Sequence, residues 1–113
     1  MDEKELLTRA VEFDFGWPND CTTKHPTERI IVRKSALDSS TWKVTCRGEV
    51  WDNTPGEEGF IYEPSPSNRT ADFIVATRYP LHEACRIAAD IVTGKLKDQV
   101  FGAAGYRYLS KEG

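Results

Sequence analysis

The segment TWKVTCRGEVW, residues 41–51, decides the fold class, because apolar and polar side chains alternate along it. Alternation with a period of two is typical of a half-buried antiparallel strand, which turns one face to the core and the other to solvent. We therefore predict one strand over 41–51. Its core face would carry Trp42, Val44, Cys46, Gly48 and Val50, and its solvent face would carry Lys43, Thr45, Arg47, Glu49 and Trp51.

A second pattern, at residues 80–94, predicts a helix. Proline is favoured at the first helical position, where Pro80 would stand, and glycine is favoured just after the last turn, where Gly94 would stand. Between them, apolar residues recur at helical spacing from Leu81 to Val92. Other patterns predict a short helix over 2–12, irregular chain over 13–27, and strands over 28–34, 60–62 and 71–78.

These elements predict an α+β fold in which an antiparallel three- to four-stranded sheet packs against a C-terminal helix, with a short N-terminal helix. The chain has 113 residues, of which 39% are hydrophobic and 11% aromatic. This size and composition fit a single domain over 1–113 with its own core. The pattern of residues 95–113 leaves open whether they form a last strand.

Composition and cysteine usage favour a cytoplasmic protein. The sequence has no run of 18 apolar residues to span a membrane, and its charged, acidic start at residues 1–5 is unlike a secretory signal. The chain has three cysteines, an odd number without the spacing of a disulfide framework. We therefore expect reduced thiols, and no motif indicates a cofactor.

Two pairs of thiol and imidazole groups are the weak candidates for a metal site. Cys21 lies four residues before His25, and His82 lies three residues before Cys85 on the predicted C-terminal helix. Thiolate and imidazole are zinc ligands, and residues three apart share a helix face. Neither spacing is that of a zinc ribbon, and Cys85 belongs to the apolar stripe. We expect no metal and keep a metal- or thiol-dependent enzyme as the least favoured alternative.

Acidic side chains are concentrated in residues 49–72, which carry six acids and one base. If the two loops that join the middle strands meet at one end of the sheet, these carboxylates form a negative rim. Such a rim would steer the protein onto a basic partner surface. The predicted rim consists of Glu49, Asp52, Glu57, Glu58 and Glu63, with Asp72 in the same acidic block.

Positive charge is concentrated in residues 21–48, which carry six bases and two acids. Lys43 and Arg47 would lie on the solvent face of the predicted strand, beside Trp51. Basic side chains next to an aromatic ring on an open sheet face are typical of a sheet that binds nucleic acid. A nucleic-acid-binding face is therefore an alternative function.

The predicted β-β-β-α order of residues 42–94 resembles AP2-type DNA-binding domains, in which an aromatic residue precedes a Thr-x-Glu-Glu-Ala helix start. Here the junction reads RYPLHEA, residues 78–84, with Leu81 and His82 in place of Thr-x. The predicted α-β-β-β-α order also resembles a double-stranded RNA-binding domain, without that family's lysines at the start of the second helix. Both resemblances concern element order and assign no family.

Segregated charge on a small domain without a catalytic signature favours a non-catalytic protein-binding module, such as an inhibitor, an immunity protein or a phage-type accessory protein. Its partner would be another protein with a basic surface, and no membrane association is expected. Nucleic-acid binding is the first alternative. An unpaired edge strand could also pair across a two-fold axis, which leaves a homodimer open.

Overall fold

The computed structural model describes residues 2, 3, 5, 12–35 and 40–97. This part of the chain contains five strands and two α-helices. The strands are β1 (Glu12–Gly16), β2 (Ile30–Lys34), β3 (Trp42–Cys46), β4 (Glu49–Asp52) and β5 (Gly59–Tyr62), and the helices are α1 (Ala71–Thr77) and α2 (Leu81–Val92). The predicted α+β class and C-terminal helix are therefore confirmed.

The strands form one antiparallel sheet in sequential order, β1-β2-β3-β4-β5. Five strands are present where the sequence predicts three to four. The chain predicted to be irregular over 13–27 begins with β1, which pairs with β2. The single strand predicted over 41–51 is a hairpin of β3 and β4.

The β3–β4 hairpin turns at Arg47 and Gly48, whose φ angles are 54° and 76°. Two consecutive left-handed residues make the two-residue turn that matches the twist of a hairpin, and glycine adopts this conformation readily. Cys46 pairs with Glu49 across the turn, so the alternation of faces starts again there. Trp51 consequently lies in the core together with Val44, and its predicted solvent position is wrong.

Residues 71–77 of the strand predicted over 71–78 form α1 instead. Thr70 caps this helix, because its Oγ1 accepts a hydrogen bond from Phe73 N at 3.1 Å. Phe73 and Thr77 are buried one turn apart on the inner side of the helix. The β-branched Ile74 and Val75 favour a strand by propensity, but the cap and this packing override that preference. Residues 42–94 therefore have the order β-β-β-α-α, in which the strands are β3, β4 and β5 and the predicted strand 71–78 takes no part in the sheet.

The ends of α2 agree closely with the sequence. Pro80 immediately precedes the helix, which starts one residue later than predicted. Gly94 follows the last turn with a φ of 82°, as its assignment as a helix stop requires.

The predicted N-terminal helix falls largely outside the described residues. Asp2 Oδ1 accepts a hydrogen bond from Glu5 N at 2.8 Å, which is the cap contact expected for such a helix. Residue 12 belongs to β1. Residues 98–113 lie outside the described part of the chain, so whether residues 95–113 form a last strand stays open. Within the described ranges, no helix is long and apolar enough to cross a membrane.

The two helices cover opposite faces of the sheet. Neighbouring residues of a strand point to opposite faces, so β4 can contribute apolar side chains to a core on each side. α1 packs through Phe73 against Val50 and Ile61, which pair with each other between β4 and β5. α2 packs on the larger core on the other face. Buried members of that core include Ile30, Val32, Val44, Trp51, Phe60, Ala84 and Ile87.

The chain passes from one face to the other at Tyr79. β3 and β4 pair only near their shared turn, and at the opposite end of β3 the backbone of Trp42 bonds to Tyr79 at 2.7 and 2.9 Å. The Tyr79 hydroxyl lies 2.8 Å from Trp51 O and 2.6 Å from Ala76 O. These bonds bring α1, the β4–β5 loop and the start of α2 together at one end of the sheet.

Candidate functional site

A surface crevice of about 470 Å³ lies where α1, the β4–β5 loop and the start of α2 meet. The described residues that line it are Asn53, Thr54, Pro55, Asp72, Val75, Ala76, Arg78, Tyr79 and Glu83. Val75, on the outer side of α1, is 78% exposed. The crevice therefore combines an exposed aliphatic side chain with charged groups from both helices.

Hydrogen bonds hold the walls of the crevice together. Asn53 N donates to Ala76 O at 3.1 Å, which fixes the β4–β5 loop to α1. Tyr79 Oη lies 2.6 Å from the same carbonyl oxygen, which fixes the chain between the helices. Asp52 Oδ1 accepts a hydrogen bond from Thr54 N at 2.8 Å and so shapes the start of the loop. The walls of the site are therefore joined to one another by hydrogen bonds.

Asp72 and Glu83 give the crevice its negative charge. Asp72 is exposed and makes no ion pair with any described residue. Glu83 lies 3.9 Å from Arg86, and such a pair one turn along a helix contributes only about 0.3 kcal/mol. Arg78, the cation among the described lining residues, has a side chain only 5% exposed, and its Nη2 lies 2.6 Å from Glu63 Oε1. The guanidinium of Arg78 is therefore directed into the fold, toward Glu63.

Glu63 is the centre of an ion-pair cluster behind the crevice. Its carboxylate lies 2.6 Å from Arg78, 3.0 Å from Lys43 and 3.4 Å from Arg69. Burial raises the pKa of the Glu63 carboxyl, but the hydrogen bonds from Arg78 and Lys43 outweigh burial and hold the pKa below its ordinary value. Glu63 therefore ties Lys43 of β3 to Arg78, which ends α1.

Of the five carboxylates predicted to form an acidic rim, two lie near the surface. Glu57 is exposed and Glu58 is half-buried, both in the loop that lines the crevice. Glu49 is 8% exposed and Asp52 is 0% exposed, because β4 is covered on both faces. Glu63 is 16% exposed and is engaged in its ion-pair cluster. Among the described residues around the crevice, the more exposed carboxylates are therefore the two in the loop and the two that line the crevice.

Of the three residues predicted to form a basic face, Lys43 and Arg47 are paired with carboxylates and Trp51 is buried. Lys43 Nζ lies 3.0 Å from Glu63 Oε2, and Arg47 Nε lies 3.5 Å from Glu49 Oε1. Trp51 is 0% exposed. Since the ring is enclosed in the core, it cannot stack on a base.

A second groove, at the β1–β3 side of the sheet, is lined in part by three arginines. Each guanidinium lies beside a carboxylate: Arg29 at 2.7 Å from Asp14, Arg33 at 3.2 Å from Glu12, and Arg47 at 3.5 Å from Glu49. The groove is basic in composition, but its positive charge is largely offset by these acids.

The four weak metal candidates lie in two parts of the fold: Cys21 and His25 between β1 and β2, and His82 and Cys85 on α2. Cys21 Sγ donates to Glu28 Oε2 at 3.0 Å, and His25 Nδ1 accepts a hydrogen bond from the backbone of the adjoining 3-10 turn at 3.2 Å. Cys85 packs against the core, where burial raises the pKa of its thiol, while His82 is exposed. In the described ranges, no three His, Cys, Asp or Glu side chains are placed to hold a metal ion together.

Two residues of the crevice are not identified by the sequence pattern. Val75 falls in the strand predicted over 71–78, and Glu83 falls in the helix predicted over 80–94, neither with a functional role. Asp72, in the acidic block, is the residue through which the sequence points to this surface.

No protein-family model, curated protein or solved structure matches the chain. The functional interpretation therefore rests on geometry and charge.

Proposed function

We propose that this chain is a non-catalytic protein-binding module, and that the crevice receives a basic surface of its partner. The observation that carries the proposal is the pair of carboxylates in the crevice: among the described residues, Asp72 makes no ion pair and Glu83 only a weak one with Arg86, while the largely buried Arg78 is paired with Glu63. Complementary charge of this kind speeds the encounter with a basic protein and orients it. Val75 supplies the apolar contact that a stable interface also needs.

The groups in the crevice support binding rather than catalysis. A general acid needs a desolvated carboxyl with a raised pKa, whereas Asp72 is exposed. The Tyr79 hydroxyl is engaged by two backbone carbonyls. Inhibitors, immunity proteins and phage-type accessory proteins act by occupying a partner surface, and we propose a role of this kind. Three free cysteines support the proposed cytoplasmic location.

Affinity capture with charge-reversal variants tests this function. Tagged wild type would be compared in a lysate of the source organism with the double variant Asp72→Lys/Glu83→Lys and with Asp20→Lys. Asp20 is also exposed but lies beside the C-terminal end of α2, far from the crevice. We expect a protein that wild type and Asp20→Lys capture and the double variant loses. Equal capture by all three forms would contradict the proposal.

Nucleic-acid binding through the arginine-lined groove is the second candidate function. It is favoured by the convergence of Arg29, Arg33 and Arg47 on one surface. Binding of this type weakens steeply with salt, because each phosphate contact releases counterions. Tight, salt-sensitive binding of nucleic acid that Arg33→Ala weakens, together with no protein capture, would replace the first proposal by this one.

A further inference from the structure

We infer that the crevice holds one lysine or arginine side chain of the partner, while an aliphatic residue next to it in the partner packs on Val75. This inference rests on the proposed function and specifies the chemistry that the partner must present. It commits to a basic–aliphatic segment of a protein.

The electrostatic part of the inference depends on which charges are already compensated. Arg78 lies 2.6 Å from Glu63 and its side chain is only 5% exposed, so its guanidinium is directed to Glu63 and not to Asp72 or Glu83. Glu83 and Asp72 both line the crevice, one on each helix. A cationic side chain between the two helices would therefore gain attraction from two carboxylates on different elements.

The shape of the crevice fits an amphipathic side chain. Lysine and arginine carry a charged head on an apolar stem, and the stem is stable only against apolar surface. Pro55 and Ala76 line the same crevice as the two carboxylates and supply such surface. A volume of about 470 Å³ accepts one long side chain together with part of the backbone that carries it.

Val75 determines what should flank the cation. An aliphatic side chain that is 78% exposed at the rim of a charged crevice loses water contact when a partner covers it. A neighbouring carboxylate in the partner would be repelled by Asp72. The preferred segment is therefore a basic residue beside leucine, isoleucine or valine, without an acidic neighbour.

Peptide titration monitored by NMR tests the inference. The probes are acetyl-Gly-Leu-Lys-Leu-Gly-amide, its arginine counterpart, and the same peptide with Nε-acetyllysine, which removes the charge. We expect amide shift changes in the full chain to cluster at Asn53, Thr54, Val75 and Glu83. The acetyllysine peptide should bind at least tenfold more weakly than the two cationic peptides.

Variants separate this inference from the proposed function. Asp72→Asn/Glu83→Gln should weaken the lysine peptide at least tenfold, and the control Asp20→Asn should leave its affinity unchanged. Shift changes scattered over the surface, or equal binding of the acetyllysine peptide, would overturn the inference. If a captured protein still depends on Asp72 and Glu83 while the peptides leave the crevice unperturbed, the function stands and this inference falls. If capture also shows no such dependence, both fall.

Discussion

Replacing Glu63 by glutamine removes one negative charge from a site that holds three cations, and leaves the side-chain shape nearly unchanged. The partners Arg78, Lys43 and Arg69 have side chains that are 5%, 21% and 14% exposed, against 16% for Glu63. Breaking a buried ion pair costs about 3–5 kcal/mol, and breaking an exposed one about 0–1 kcal/mol. For this partly buried cluster we expect Glu63→Gln to lower the free energy of unfolding by about 2 kcal/mol.

Urea unfolding followed by tryptophan fluorescence measures this loss, since Trp42 and Trp51 are buried. The midpoint should fall while the slope stays unchanged. Glu12→Gln is the matched control, because Glu12 pairs with Arg33 at 3.2 Å and both side chains are about half exposed. We expect the control to change stability by less than about 0.5 kcal/mol. Equal losses in the two variants would refute the assigned role of Glu63.

The effect of Glu63→Gln should also depend on pH in one direction. Because the folded-state pKa of Glu63 is lowered, its contribution to stability is complete above the ordinary pKa of 4.5 and is lost as the pH falls through the folded-state value. The difference between wild type and variant should therefore be constant from pH 7 to about pH 5 and shrink in more acidic solution. A difference that grows on acidification contradicts this account.

Three further variants test the elements around the crevice, each by equilibrium unfolding. Tyr79→Phe removes the hydroxyl that reaches Trp51 O and Ala76 O, and should lower the free energy of unfolding by about 1–2 kcal/mol. No loss would mean that these bonds do not stabilise the passage of the chain from one face of the sheet to the other at Tyr79. Gly48→Ala should lower the free energy of unfolding by about 1 kcal/mol, from the strain of the left-handed backbone alone, since an added Cβ meets nothing within 4 Å. A stabilising effect would contradict the left-handed conformation of Gly48 in the turn. Thr70→Ala removes the cap of α1 and should cost about 1 kcal/mol, whereas Thr70→Asp should retain most of the stability.

The parts of the fold that the sequence predicts well are those whose local signals agree with tertiary packing. The helix from Leu81 to Val92 has an apolar stripe, a preceding proline and a following glycine, and all three point to the same element. The segment 41–51 has a true strand pattern, but the pattern continues across a two-residue turn. Alternation alone cannot reveal that turn, although Gly48 is the residue that such a turn favours.

The crevice could not be predicted from the sequence, for a different reason. Its position depends on α1, and the run of Phe73, Ile74 and Val75 favours a strand by propensity. The cap at Thr70 and the packing of Phe73 between helix and sheet stabilise this segment as a helix. The acidic block is visible in the sequence, but which carboxylates are buried depends on β4 being covered on both faces.

Site-specific photo-crosslinking tests the central proposal most directly. A benzophenone amino acid would replace Val75, at the rim of the crevice, and in a second form Asp20, at the other end of α2. In a lysate of the source organism, we expect position 75 to crosslink to a protein through a segment that contains lysine or arginine, and position 20 to give no such product. Crosslinks to nucleic acid at position 75, or the same protein crosslinked equally from position 20, would contradict the proposal that this crevice is a protein-binding site.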